Sequence, residues 1–229
     1  MKVLFVGDSI FKGDLGYSPV SYISKNIEIV NLSINGDSIT GVLNRLKEQL
    51  EKDNKFDYIV IKGGLNDIHI PFCEMCGYST RVDNFANTTY CVTEEEFKFT
   101  FKEICKELKI YQTLNRITPI IVTMPVTEIK DWEYETQDKF IKIQKEVAEE
   151  FNIKYIDSQA VLKKEIGLDL GEFDYMNISN IIEYFRSKVF PFTKDLMGKW
   201  NGLNYTVDGL HLNSTSAKII AKEIEKYFN

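Results

Sequence analysis

An α/β fold built on a largely parallel sheet is the expectation for this chain, and three features of the sequence lead to it. Short β-branched runs alternate with amphipathic stretches from beginning to end. No internal repeat or low-complexity linker interrupts that order. With 229 residues, 44% of them apolar, the chain can bury one full core, so a single domain over residues 1–229 is expected.

Five runs read as strands: KVLFV (2–6), IEIVNLS (27–33), DYIVIKG (57–63), TPIIVTM (118–124) and IKYID (153–157). After the second run, Ile39, Val42, Leu43, Leu46 and Leu50 recur at helical spacing, and after the third, Phe97, Phe101, Ile104, Cys105 and Leu108 do the same. Thr93 and Glu96 form a capping-box pattern at the start of the second of these helices. A final helix follows Asn213 as its N-cap and carries Ala217, Ile220, Ile224 and Tyr227 on one face. Two segments depart from the alternation. Residues 68–92 are long, polar and hold three of the four cysteines; residues 166–206 are rich in aromatics (Phe173, Tyr175, Tyr184, Phe185, Phe190, Phe192, Trp200, Tyr205) and lack a clear sheet strand. Long excursions in a compact domain serve as lids and binding loops or simply as extra packing helices, and the sequence leaves both readings open.

Composition excludes some classes of function. A net charge of −6 without a basic stripe argues against nucleic acid as a partner. After Met1 and Lys2 only four apolar residues, Val3 to Val6, precede Gly7 and Asp8, too few for the apolar region of a secretory leader. No apolar run approaches the roughly 18 residues of a membrane span. A chain complete at its N-terminus is therefore expected to be cytoplasmic, while a mature secreted form would look the same. Oligomeric state leaves no mark on the sequence.

Ligands of an open parallel sheet bind at the carboxyl ends of its strands. Past the first strand stands Gly7-Asp8-Ser9-Ile10, past the second Asn35-Gly36-Asp37, past the third Gly63-Gly64-Leu65-Asn66-Asp67, and before the last helix Asp208 and His211. Each cluster alone reads as turn chemistry. Together they supply a working set. Serine needs a base to take its proton, and imidazole suits neutral pH. A carboxylate three residues ahead of the histidine can reach back to the far ring nitrogen and fix its tautomer. The backbone N–H groups of Ser9 and Gly36 and the side-chain amide of Asn66 can donate to a tetrahedral oxyanion.

In these four blocks, GDSI (7–10), NGDS (35–38), GGLND (63–67) and DGLHLN (208–213), the chain resembles the SGNH hydrolases, also called GDSL esterases and lipases. The blocks occur in the family order and span almost the whole chain. The resemblance implies Ser9 as nucleophile, Gly36 and Asn66 as oxyanion donors beside the Ser9 amide, and His211 as the base oriented by Asp208. It also implies a flavodoxin-like three-layer α/β/α fold with strand order 2-1-3-4-5, and hydrolysis of ester or thioester bonds without metal or organic cofactor. Ile10 stands where the family more often has leucine, a change between aliphatics of similar size.

His69, Cys73, Cys76 and Cys91 form a His-x3-Cys-x2-Cys-x14-Cys pattern, the donor set of a closed structural zinc site, which would help a polar insertion with little core of its own. The same residues also read as reduced thiols, or as a disulfide in an exported protein. Cys105 lies on an apolar helix face and reads as a core thiol. The roles of Asp37 and Asp67, each one residue past a proposed oxyanion donor, stay open.

The function expected is therefore that of a serine esterase acting through an acyl-enzyme on a small acyl ester, with acetyl groups on carbohydrate suggested by analogy with relatives and the aromatic segment as the selecting wall. A thioesterase or lysophospholipase would use the same residues with a longer apolar groove. A binding module that lost turnover would not need all of Ser9, Gly36, Asn66, Asp208 and His211. A flavin mononucleotide binder of the same fold class would want a Ser/Thr-rich phosphate loop, which GDSIFKGDLG lacks.

Overall fold

A computed structural model describes residues 1–76, 89–174 and 190–228. Its five strands, β1 (Lys2–Val6), β2 (Glu28–Asn31), β3 (Tyr58–Ile61), β4 (Thr118–Val122) and β5 (Lys154–Ile156), form one sheet in the order 2-1-3-4-5. Every pairing is parallel, with Val3 opposite Ile29 on one side and Tyr58 on the other. The strands are shorter than the apolar runs that announced them, except β1. The trailing residues of those runs, such as Ser33, Gly63 and Met124, turn off the sheet into the loops where the polar clusters lie.

The helices of the described residues are α1 (Ser9–Lys12), α2 (Ile39–Lys52), α3 (Asn66–Met75), α4 (Glu94–Asn115), α5 (Tyr134–Glu150), α6 (Ser158–Ile166), α7 (Lys194–Trp200) and α8 (Ser214–Glu225). Helices α2, α4 and α5 pack in series, while α6, α8 and a 3₁₀ turn at Pro19–Tyr22 pack together as a second group. β3 is buried throughout and β1 almost so, as expected for strands covered on both faces. The apolar positions read at helical spacing on α2 and α4 are all in the core. The capping box is formed: Glu96 N–H donates to Thr93 Oγ1 at 3.2 Å, and Thr93 N–H donates to Glu96 Oε2 at 3.2 Å. Asn213 caps α8 by accepting from Ser216 N–H at 2.8 Å, and Ala217, Ile220 and Ile224 are buried; Tyr227 follows the last turn and packs on the core from outside the helix.

The two irregular segments need correction in part. Residues 66–75 are a core-packed helix rather than a polar excursion: Ile68, Ile70, Phe72 and Cys73 are buried on α3, which tolerates Pro71 in its second turn. In the second segment, Phe173 and Tyr205 are buried packing residues, whereas Phe190, Phe192 and Trp200 are exposed on and before α7. Tyr175, Tyr184 and Phe185 lie outside the described residues, as does the rest of 175–189, where a lid was one expectation.

Candidate active site

The four sequence clusters do meet at the carboxyl edge of the sheet. Ser9 is the first residue of the single turn α1. Asp8, rather than Ser9, is its N-cap, with Oδ1 accepting from Ile10 N–H at 3.0 Å, and Gly13 closes the turn in the left-handed region at φ 84°. The other Asp8 oxygen accepts from Lys62 Nζ at 2.6 Å, with both side chains 1% exposed. Burial pushes the Lys62 ammonium below its ordinary value, and the charge of Asp8 opposes that shift.

Ser9 Oγ lies 2.9 Å from His211 Nε2, and His211 Nδ1 lies 2.7 Å from Asp208 Oδ2. Asp208 Oδ1 accepts from the backbone N–H groups of His211 at 2.7 Å and Leu210 at 3.1 Å, so the carboxylate and the imidazole share one tight turn. Burial would raise the Asp208 carboxyl, but the neighbouring His211 and these hydrogen bonds outweigh it and hold the group below the usual carboxylate range. Gly16 packs on the histidine so closely that a Cβ there would stand 2.7 Å from His211 Cβ. Lys194, at the start of α7, holds that loop by donating to the carbonyls of Asp14 at 3.0 Å and Gly16 at 3.1 Å.

The oxyanion candidates are tied to one another. Asn66 Nδ2 donates to the carbonyl of Asp37 at 2.9 Å, which leaves the amide's second N–H for another acceptor. Gly36 adopts φ 71°, a conformation glycine reaches without strain, and its carbonyl accepts from Tyr90 Oη at 3.1 Å. Asp37 and Asp67 hold these loops in place. Asp37 pairs with Arg45 Nη1, while Arg45 also donates to the carbonyls of Leu32 at 2.9 Å and Gly7 at 2.9 Å. Burial raises the Asp37 carboxyl against the pull of Arg45. Asp67 accepts from Ile39 N–H at 2.9 Å and Cys91 N–H at 2.7 Å; burial pushes its carboxyl up to about 8 against those two donors.

The zinc pattern is only half assembled. His69 Nε2 and Cys73 Sγ are 3.3 Å apart on one face of α3, but Cys76 is exposed and Cys91 Sγ sits between the hydroxyls of Thr40 and Thr100. Among the described residues no three His, Cys, Asp or Glu side chains are grouped to hold a metal ion. All four cysteines are free thiols, and burial pushes those of Cys73 and Cys105 up to about 12. His69 lies beside the proposed base: burial, with the His211 charge adding to it, pushes its imidazole down to about 4, and its ring packs against Trp132 at 6.1 Å.

Residues that the sequence reading missed lie behind these. Lys62, Arg45, Lys194 and Glu128 are cations and a carboxylate drawn from positions remote in the chain. Only Glu128 carried a usable signal, since it stands in the loop past β4, at the carboxyl end of a central strand.

A 2-1-3-4-5 parallel sheet flanked by helices, with serine, histidine and aspartate joined at its carboxyl edge, is the architecture of an SGNH hydrolase. The chain belongs to the GDSL-like lipase/acylhydrolase family, whose model matches residues 3–224. Among solved structures it is similar to a provisionally assigned GDSL-like lipase from Parabacteroides merdae, with 20% identity, TM-score 0.61, and 98% of this chain and 94% of that one covered. Axe2, an acetylxylan esterase from Geobacillus stearothermophilus, matches with 19% identity, TM-score 0.58, and 98% and 92% coverage. The lipase/acylhydrolase from Enterococcus faecalis matches with 20% identity, TM-score 0.51, and 98% and 95% coverage. No curated protein matches this chain in sequence. No helix among the described residues is long and apolar enough to cross a membrane.

Proposed function

We propose that the protein is a serine esterase that cleaves a small acyl ester, an acetyl ester of a carbohydrate, through an acyl-enzyme. The observation that carries this reading is the unbroken Ser9–His211–Asp208 chain, with contacts of 2.9 and 2.7 Å. As His211 Nε2 takes the hydroxyl proton, Ser9 Oγ attacks the ester carbonyl, and Asp208 stabilises the imidazolium that results. The oxyanion is met by the N–H groups of Ser9 and Gly36 and by the free N–H of Asn66. The tetrahedral intermediate expels the alcohol, which receives the proton from His211 Nε2, and water repeats the sequence to release the acid and regenerate Ser9. No residue in this cycle calls for a metal. The acetyl-carbohydrate substrate is supported by the likeness in fold to an acetylxylan esterase.

Hydrolysis of p-nitrophenyl acetate and butyrate between pH 5 and 9, by the native protein and by Ser9→Ala, tests the reading. Turnover by the native protein with a loss of several orders of magnitude in the variant is expected. Equal, background rates for both would remove Ser9 as a nucleophile toward simple esters. A ladder of acyl lengths then addresses the substrate: preference for chains of eight or more carbons would replace the acetyl reading with that of a thioesterase or lysophospholipase.

A further inference from the structure

Glu128 is completely buried, and its carboxylate accepts five hydrogen bonds. Oε1 accepts from the N–H groups of Gly171 at 3.0 Å and Asn204 at 2.8 Å; Oε2 accepts from Tyr205 N–H at 3.0 Å, Thr206 N–H at 2.9 Å and Thr206 Oγ1 at 2.6 Å. Four of the five donors lie on residues 204–206, the approach to Asp208. The grip continues one step further. Thr206 Oγ1, while donating to Glu128, accepts from Gly209 N–H at 3.1 Å, and Glu128 N–H donates to the Gly209 carbonyl at 2.7 Å. Gly209 is thus held at both its N–H and its C=O, in the left-handed conformation at φ 82°. It is the residue between Asp208 and the Leu210-His211 pair, and a Cβ there would stand 2.8 Å from Phe173 Cβ.

The anchor itself is tied on both sides. Gln137 on α5 accepts from Thr127 Oγ1 at 2.9 Å and Trp132 Nε1 at 2.7 Å and donates to the Pro125 carbonyl at 2.7 Å, fixing the loop on both sides of Glu128. Phe173 N–H donates to the Glu128 carbonyl at 2.6 Å, and Ile129 bridges to Phe173. Glu128 therefore links a loop fixed on the sheet to the turn that carries the acid and base.

We propose that Glu128 is the positioning residue of the Asp208–His211 pair, acting through Thr206 and Gly209 to hold the imidazole in line with Ser9. The inference rests on the esterase reading for its kinetic consequence and on geometry alone for its structural one. A carboxylate is suited because it offers acceptors only; glutamine would turn an N–H toward donors at whichever end it occupied. Displacement of a base by about 1 Å can lower turnover on the order of 10²-fold.

The test compares the purified full-length protein with Glu128→Gln and Thr206→Val. Steady-state hydrolysis of p-nitrophenyl acetate gives kcat and KM, and nitrogen-15 NMR of the two histidine rings gives the His211 tautomer. Expected are a fall in kcat of about 10²-fold for Glu128→Gln and a smaller fall for Thr206→Val, with KM within about twofold, and a mixed His211 tautomer where the native protein shows only Nδ1–H. Unchanged kcat and a single tautomer, with only a lowered Tm, would overturn the proposal and leave Glu128 an anchor of the fold. Should Glu128→Gln not fold, Thr206→Val decides by the same two readouts. Should the native protein not turn over the ester, the esterase reading fails, and the tautomer comparison still decides the positioning role.

Discussion

Replacement of Lys62 by methionine is the sharpest probe of how the nucleophile's turn is held. Lys62 Nζ and Asp8 Oδ2 are 2.6 Å apart in a site that is 1% exposed on both sides. Lys62→Met keeps the aliphatic stem and removes the charge, leaving the Asp8 carboxylate buried without its cation. Orphaning one partner of a buried pair costs about 3–5 kcal/mol. For a chain of this size each kcal/mol moves Tm by roughly 2–4 °C, so Tm falls by about 6–20 °C. Urea unfolding followed by tryptophan fluorescence measures the loss directly. The decisive comparison is the double variant Lys62→Met with Asp8→Asn. Asparagine keeps an oxygen for Ile10 N–H and is a good N-cap, yet carries no charge to strand, so the double variant should be more stable than Lys62→Met alone. A loss below about 1 kcal/mol in the single variant, or additive losses in the double, would refute the claim that a buried ion pair fixes this turn.

Asp67 gives a pH dependence with a definite sign. Its folded-state value, raised to about 8, lies above the unfolded value near 3.9, so the native state holds the proton longer and stability falls as pH rises from about 4 to 8; Asp67→Asn should flatten that slope in urea unfolding at several pH values. An unchanged slope would remove Asp67 as its source. His69, held near 4, does not titrate between pH 5 and 9, so the acid limb of the ester pH–rate profile should survive in His69→Gln; loss of that limb would move the base from His211 to His69. Gly41→Ala sets a Cβ against Asp37 Oδ1 and must displace that carboxylate from Arg45 or shift α2, a destabilisation of about 1–3 kcal/mol by thermal melting. Incubation with EDTA should leave Tm unchanged, because only His69 and Cys73 of the four zinc candidates stand together; a clear drop would mean that the cysteines gather on a metal after all.

The sheet was legible because its strands announce themselves locally. β1, β3 and β4 are continuous apolar runs, as strands buried on both faces must be. The strand-end rule then placed Ser9, Gly36 and Asn66 at one rim without any knowledge of side-chain contacts. It erred where a local pattern had two physical meanings. The run from Ile68 to Cys76 mixes apolar residues, a proline and two cysteines, and was read as the opening of a polar insertion, with a metal site as one of several readings of its cysteines. In the fold its apolar residues face the core, and Cys73 is one of them.

What stayed hidden has a common physical character. Lys62 with Asp8, Arg45 with Asp37, Lys194 with the carbonyls of Asp14 and Gly16, and Glu128 with residues 204–206 are all partners that meet only after the chain has folded. A lysine at the end of an apolar strand reads as a solvated terminus until a buried carboxylate 54 residues away is seen to face it. Glu128 stands in the loop past β4 between the buried Thr127 and Ile129, and its position at a strand end does not say what the carboxylate meets until the donors of a distant loop converge on it. The groups that would react sit on turns with recognisable residue types, because the chemistry dictates those types. The groups that hold the turns need only charge and reach, which many residues supply. Their identity is therefore decided by topology: β1, β3 and the loop after β4 come to the same rim from positions up to about 120 residues apart, and the buried charges are what lock those loops together. If that is right, Lys62→Met should loosen α1 and Glu128→Gln should loosen the Asp208–His211 turn. Both turns end on the one Ser9–His211 contact, so the double variant should lose less in kcat than the sum of the single losses, and strictly additive losses would refute that shared contact.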